Sequence, residues 1–167
     1  MDKDSVAIAL ILIGLVFLPI GLGLHFAFVG HAAGAYEINK ARALIDRAGS
    51  TTDLQEQNEY LIATLEQLKN FQGNPVWYFP TKETDYDAIK GNIQSMANKN
   101  TELSLLNATS YAYQRLVENN LRTYPQINGQ LGVIIEWTVT WTPFNVITVV
   151  LFIVAWIVVA LIAIARA

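Results

Sequence analysis

The sequence predicts an all-α membrane protein in which two transmembrane helices flank an extramembrane antiparallel helical hairpin. Two observations carry this prediction. The chain has 167 residues, of which 53% are hydrophobic, and the excess is concentrated in two uncharged stretches near its ends. The residues between these stretches are mostly polar, and their apolar side chains recur at helical spacing rather than alternating as in a strand.

The first apolar stretch, residues 6–24, reads VAIALILIGLVFLPIGLGL. As a helix it covers roughly the 30 Å hydrocarbon core of a bilayer, where a helix satisfies its own backbone groups. We therefore predict a first transmembrane helix over residues 5–30. The stretch is longer than the apolar region of a signal peptide, about 7 to 15 residues, so we expect it to remain as an anchor. The stretch VITVVLFIVAWIVVALIAIA at 146–165 predicts a second transmembrane helix over residues 144–166.

Residues 31–143 are predicted to form an extramembrane domain with an outgoing arm at 31–71 and a returning arm at 84–124. The outgoing arm carries an apolar stripe at intervals of three, four and seven residues: Leu54, Leu61, Leu65, Leu68 and Phe71. The returning arm carries a heptad-like, coiled-coil seam: Tyr86, Ile89, Ile93, Met96 and Leu103. The arms are equal in length, which favours a hairpin.

A four-helix up-down bundle is the alternative fold. It requires sharp turns at two weak points of the arms, Gly49–Thr52 and Asn98–Thr101. The first weak point has the glycine and hydroxyl groups that suit a turn, whereas the second has neither glycine nor proline. The hairpin is therefore the preferred prediction.

The aromatic segment, residues 74–81 (NPVWYFPT), places Trp77, Tyr78 and Phe79 between two prolines. In the hairpin it forms the tip, far from the membrane, where we expect it to contact a partner protein. Two other interpretations stay open: the rings pack over the ends of their own helices, or, in the four-helix alternative, they return to the membrane surface as an anchor.

The residues near the membrane supply two further predictions. The sequence YPQINGQLG at 124–132 is expected to be a loop leading to the second span, with Trp137, Trp141 and Phe144 in an interfacial aromatic belt. Small residues lie four apart along the first span and its extension: Gly23 with Ala27, and Gly30 with Gly34. Such strips allow close helix packing in lipid, here against the second span or another membrane protein.

Catalytic chemistry is not expected. The chain has no cysteine, which excludes thiol catalysis, zinc-thiolate sites and iron-sulfur clusters. Its two histidines, His25 and His31, are six residues apart and do not share a helical face as a metal pair would. His25 has Gly21 one turn below it, an arrangement that could ligate haem or a pigment, although no cofactor or metal is predicted. The nine basic and twelve acidic residues of 31–143 are dispersed, which excludes a nucleic-acid face.

These observations predict a non-catalytic integral membrane accessory or scaffold subunit of a larger membrane complex. Its expected partners are the bilayer and other integral membrane proteins or copies of itself, and a small-molecule ligand is not expected. The alternatives are a ligand-sensing helical domain that signals through a separate protein, and a haem- or pigment-binding subunit. Basic residues flanking the spans nearly balance, so orientation depends on the size of the central domain, which predicts cytoplasmic termini and an extracytoplasmic domain.

Overall fold

The structure, a computed structural model, describes residues 3–166, and over this range the chain is helical without strands, which confirms the predicted all-α class. The helices of the described range are α1 (Lys3–Ala32), α2 (Ala35–Ala48), α3 (Leu54–Leu68), α4 (Tyr86–Leu103), α5 (Tyr111–Val139) and α6 (Pro143–Arg166), with a short 3-10 helix at Lys82–Thr84. Two compact units form: a terminal unit, Met1–Ala33 with Val139–Ala167, and a central bundle, Gly34–Thr138.

The central bundle is a four-helix up-down bundle made of α2, α3, α4 and the bundle part of α5. Its core is formed by apolar side chains from all four helices: Ile38, Ala41, Ile45, Ala48, Leu61, Leu68, Tyr86, Ile89, Ile93, Met96, Ala97, Tyr124, Ile127, Leu131 and Ile134. The prediction of a two-armed hairpin is therefore wrong. Each predicted arm contains two helices. Four helices packed around one shared core bury more apolar surface than two long helices that meet along a single seam.

The first turn lies where the sequence places it. α2 ends at Ala48, and the N–H of the following residue, Gly49, donates to the Ile45 carbonyl at 3.0 Å. α3 begins after Asp53, whose carboxylate accepts a hydrogen bond from the Gln55 N–H at 2.8 Å, and the Thr51 hydroxyl accepts one from the Asp53 N–H at 3.2 Å. These side-chain caps satisfy backbone donors at the start of the helix and fix the reversal.

The second turn lies later than predicted. Residues 98–101 are helical, and α4 continues to Leu103. The chain then reverses over 104–110, where the Asn107 side-chain oxygen accepts hydrogen bonds from the Thr109 N–H at 3.0 Å and hydroxyl at 2.9 Å. The Ser110 hydroxyl caps α5 by accepting from the Tyr113 N–H at 3.3 Å. Asparagine thus supplies a turn that needs neither glycine nor proline.

The predicted loop at 124–132 is also wrong, because α5 runs unbroken through Pro125, Gly129 and Gly132. Proline costs about 3 kcal/mol and each glycine about 1 kcal/mol inside a helix. Burial outweighs this cost: four side chains between 124 and 134 point into the core, namely Tyr124, Ile127, Leu131 and Ile134.

The terminal unit is formed by α1 packed against α6, which coincide with the two predicted spans. Gly14 packs against Trp156, and an added Cβ would lie 1.5 Å from the ring. α6 begins with Pro143, and the Thr142 hydroxyl accepts a hydrogen bond from the Asn145 N–H at 3.2 Å. Across the residues that the structure describes, no helix alone has the length and hydropathy of a membrane span. α5 and Pro143–Val159 reach that length and hydropathy only together, as a bent pair.

Candidate functional site

The aromatic segment lies at the end of the central bundle where α2 begins and the bundle part of α5 ends. The loop that carries it starts with Phe71, whose ring lies so close to Gly34 that an added Cβ would come within 2.6 Å of it. The Phe71 ring also stacks on Tyr86 with 5.1 Å between centroids. On the other side of the loop, Thr84 and Val133 line a common cleft. The prediction that the segment forms the tip of a hairpin is therefore wrong. Its contact with a partner protein stays a prediction.

Hydrogen bonds fix the two ends of this loop to each other. The Asn74 side-chain amide donates to the Thr81 carbonyl at 2.6 Å, and its oxygen accepts from the Val76 N–H at 3.0 Å. Gly73, in the left-handed region at φ 63°, donates its N–H to the Asp87 carboxylate at 2.9 Å. This hydrogen bond and the neighbouring Lys90 lower the pKa of Asp87. The aromatic segment is thus presented on a closed, capped loop.

The three rings of the segment remain largely exposed. Trp77, Tyr78 and Phe79 expose 51%, 60% and 67% of their surface, whereas Val76 is only 3% exposed. The rings pack edge to face on one another, at 5.4 Å for Trp77 with Tyr78 and 4.4 Å for Tyr78 with Phe79. Val76 and Phe71, rather than these rings, close the end of the core. The interpretation that the rings pack over the ends of their own helices stays a prediction.

A cleft of about 610 Å³ lies at the opposite end of the bundle. It is lined by side chains from the two short turns and from the start of α5: Thr52, Asp53, Ser104, Leu106, Ala108, Tyr113, Gln114, Val117, Glu118 and Leu121. Tyr113 supports it by accepting a hydrogen bond from the Leu54 N–H at 3.0 Å. Sequence reasoning missed this cleft.

A buried polar layer crosses the middle of the bundle. The Asn120 amide donates to Gln57 Oε1 at 2.9 Å and to Asn100 Oδ1 at 2.7 Å, and the Tyr124 hydroxyl donates to Gln57 Oε1 at 2.9 Å. Gln57 in turn donates to the Thr51 carbonyl at 2.8 Å. Burial raises the pKa of Tyr124 to about 12. The layer ties α3, α4 and α5 together through side chains that do not titrate near neutral pH.

His25 is paired within the terminal unit. Its Nε2 forms a 2.8 Å hydrogen bond with Oδ1 of Asn145, a fully buried residue that also donates to the Val139 carbonyl. The position of a Cβ on Gly21 lies 3.8 Å from the Phe152 ring, so an aromatic ring rather than open space neighbours this turn. The nitrogen that would ligate haem is therefore engaged in a link between α1 and α6. Sequence reasoning missed Asn145, the only amide side chain next to the second apolar stretch.

The predicted strip of small residues does not line the contact with α6. A Cβ on Gly23 would meet nothing within 4 Å, and Ala27 is exposed. Gly30 is half-buried, and Gly34 precedes α2 with a left-handed φ of 73°. Gly14 and Gly21 face α6 instead. Packing of Gly23 and Ala27 against another membrane protein stays a prediction.

The predicted interfacial aromatics flank the break between α5 and α6. Trp137 is half-buried near the end of α5, Trp141 is 47% exposed in the break, and Phe144 is 66% exposed at the start of α6. The Phe144 ring lies 5.7 Å from the His25 ring. Their place at a membrane surface stays a prediction.

Within the described residues, no group of three or more histidine, cysteine or acidic side chains is arranged to hold a metal ion. The chain matches no family model, no curated protein and no solved structure.

Proposed function

We propose that this chain is a non-catalytic, membrane-anchored scaffold: the terminal unit lies in the bilayer, and the central bundle contacts another protein of a membrane complex. One observation carries the proposal. Large apolar side chains of α1 and α6 point outward, among them Leu24, Phe28, Phe144, Leu151 and Leu161, each exposed by 59% to 72%. Water-soluble monomers rarely expose contiguous apolar patches of more than a few hundred Å². Lipid is the solvent that suits such a surface.

The contact between α1 and α6 supports the same proposal. Helices associate in lipid through small residues that permit close approach and through interhelical hydrogen bonds. Gly14 accommodates the Trp156 ring, and His25 bonds to Asn145 across the two helices. Both features provide attraction between helices that are already surrounded by apolar solvent.

The chemistry of the central bundle favours a role in binding over catalysis. Its buried polar side chains are amides, hydroxyls and phenols, and burial raises the pKa of both Tyr86 and Tyr124 further from neutrality. Described ion pairs such as Lys69 with Glu66 and Arg122 with Glu118 lie on exposed helix faces. A rigid core with a solvated charged surface suits a protein that acts by contact.

Membrane insertion and orientation can be tested together, because the chain has no cysteine. Single cysteines at the exposed positions Thr109 and Ala165 would be labelled with an impermeant maleimide in intact cells. We propose that the bundle is extracytoplasmic and the termini cytoplasmic, so Thr109→Cys should react and Ala165→Cys should react only after lysis. Extraction of the protein by alkaline carbonate would refute the membrane anchor.

The scaffold role requires a companion protein. We expect the native chain, isolated in mild detergent, to migrate as part of a larger assembly. Gly23→Leu alters a face with open space, whereas Gly21→Leu alters the face toward Phe152. Loss of the companion with Gly23→Leu and retention of the α1–α6 contact would assign that face to the partner. A lone monomer at every stage of isolation would contradict the proposal.

A second candidate, a ligand-sensing domain, is favoured by the cleft between the turns of the bundle. Two of its lining residues, Asp53 and Glu118, carry carboxylates, and Tyr113, Val117 and Leu121 supply an apolar wall. Such a cleft suits a small organic cation, and signalling would need a separate protein. A set of amines tested by thermal shift against the wild type and Glu118→Gln would check this function. No stabilisation by any amine would remove it.

A further inference from the structure

We propose that the aromatic segment is a lipid anchor that inserts Trp77, Tyr78 and Phe79 into the headgroup region of the bilayer. The inference rests on the proposed membrane insertion of the terminal unit. It replaces the expected protein contact of these rings by contact with a lipid surface.

The first argument is the position of the segment. It lies at the end of the bundle where α2 begins, beside Gly34, and Gly34 is joined to Ala33 of the terminal unit by one peptide bond. At the same end, α5 continues as one helix from Thr138 of the bundle into Val139 of the terminal unit. Both covalent links to the membrane-inserted unit thus leave the bundle at the end that carries the rings.

The second argument is the chemistry of the segment. The nine residues 73–81, GNPVWYFPT, contain no charged side chain, so their insertion would not desolvate a charge. Tryptophan and tyrosine combine a large apolar body with a polar tip and are enriched at membrane–water interfaces. The three rings form one edge-to-face group, with more than half of the surface of each residue exposed. Exposure of such a group to water is costly, and the interface removes that cost.

The third argument is that the loop is pre-organised. The Asn74 amide closes it onto the Thr81 carbonyl, and the Thr84 hydroxyl donates to Asn74 Oδ1 at 3.2 Å. Its other end is fixed by the Gly73 N–H bonded to Asp87. Because the backbone is already ordered, insertion of the rings costs little additional conformational entropy. The Asn74 hydrogen bonds are thus the support of the anchor.

Depth measurements on the full chain in phosphatidylcholine vesicles test the inference. Nitroxide labels would be attached to single cysteines at Phe79, Thr109 and Val158, and their access to oxygen and to a water-soluble nickel complex compared. We expect the label at 79 to be accessible to oxygen and protected from nickel, as at 158 on α6, and the label at 109 to be accessible to nickel. Brominated lipids should also quench most of the Trp77 fluorescence when the other three tryptophans are replaced by phenylalanine.

The three positions separate failure of the inference from failure of the proposed function. If 158 is protected while 79 is as accessible to nickel as 109, the terminal unit is inserted and the rings are not, which overturns the anchor and favours a protein contact. If 158 itself is accessible to nickel, membrane insertion fails and the anchor fails with it. Asn74→Ala should increase nickel access at 79 without changing 158. Unchanged access at 79 would refute the supporting role of the loop.

Discussion

Replacement of Asn120 by leucine tests the buried polar layer of the central bundle. Asn120 is 3% exposed and donates to two acceptors, Gln57 Oε1 and Asn100 Oδ1. After the replacement Gln57 Oε1 keeps the hydrogen bond from Tyr124, but Asn100 Oδ1 loses the only donor seen in the structure. Leucine has nearly the shape of asparagine, so the substitution removes hydrogen bonds while leaving little cavity.

The expected cost follows from the acceptor that is left. A buried polar group without a partner costs about 1–3 kcal/mol, so Asn120→Leu should lower the free energy of unfolding by about that amount. For a domain of this size the loss corresponds to a decrease in Tm of roughly 5–15 °C. Asn120→Ala adds a cavity and should cost more. Adding Asn100→Leu to Asn120→Leu removes the stranded acceptor, while Gln57 keeps its hydrogen bonds to Tyr124 and Thr51, so the double variant should cost less than Asn120→Leu alone.

The measurement is urea unfolding of the full chain in mild detergent, followed by circular dichroism and by amide hydrogen exchange in α3 and α5. Asn119→Leu is the matched control, because Asn119 is the neighbouring asparagine and is exposed. Its effect should stay within about 0.5 kcal/mol. Equal stability of Asn120→Leu and Asn119→Leu would refute the argument that the polar layer depends on mutual pairing.

Three further predictions concern other positions. Gly34→Ala should destabilise the bundle by at least about 1–2 kcal/mol, because the φ of Gly34 is 73° and the Phe71 ring occupies the Cβ position. Gly91→Ala, in open space within α4, should stabilise the bundle by about 0.5–1 kcal/mol. Thermal unfolding of the two variants and the wild type measures both effects. The folded-state pKa of Tyr124 is raised from 10.0 to about 12, so its contribution to stability is complete below pH 10 and is lost as the pH rises to about 12. Tyr124→Phe should therefore reduce the decrease of unfolding free energy with pH that urea titrations measure between these values. An unchanged pH dependence would contradict the assignment. Gly14→Leu should separate α1 from α6 and lower the resistance of the protein to unfolding by SDS. Gly23→Leu should not have this effect, because the Cβ position of Gly23 is open. Equal effects of the two variants would contradict the packing described.

The helical class and the first turn were predictable from local signals, and the remainder of the bundle was not. Gly49 and the hydroxyl residues that follow it are a strong turn signal, and the structure has a turn there. The second turn depends on Asn107, whose side chain replaces a backbone partner and leaves no glycine or proline to detect. The course of α5 through Pro125 depends on burial of residues that follow it, a tertiary effect that outweighs local propensity.

For the candidate sites too, features that depend on local sequence were predictable, and features that depend on the packing of distant helices were not. The aromatic segment is conspicuous in sequence, but its position depends on the number of helices in the bundle and moves from one end to the other when two helices become four. Gln57 lies on the apolar stripe of α3, three residues after Leu54 and four before Leu61, so its burial was readable from spacing. Its pairing with Asn120 was not, because a sequence does not show which polar residues of distant helices meet.

Placement of the aromatic segment also decides where a protein partner would bind. If lipid covers the rings at one end of the bundle, the proposed protein contact falls to the other end, between the two short turns. That end is not purely polar: Leu105 is 90% exposed in the turn after α4, and Tyr111 is 74% exposed at the start of α5. Tyrosine is among the residues that dominate the energetics of protein interfaces, and Leu105 would add buried apolar area beside it. The bundle would then act as a rigid spacer, with lipid at one end and the companion protein at the other.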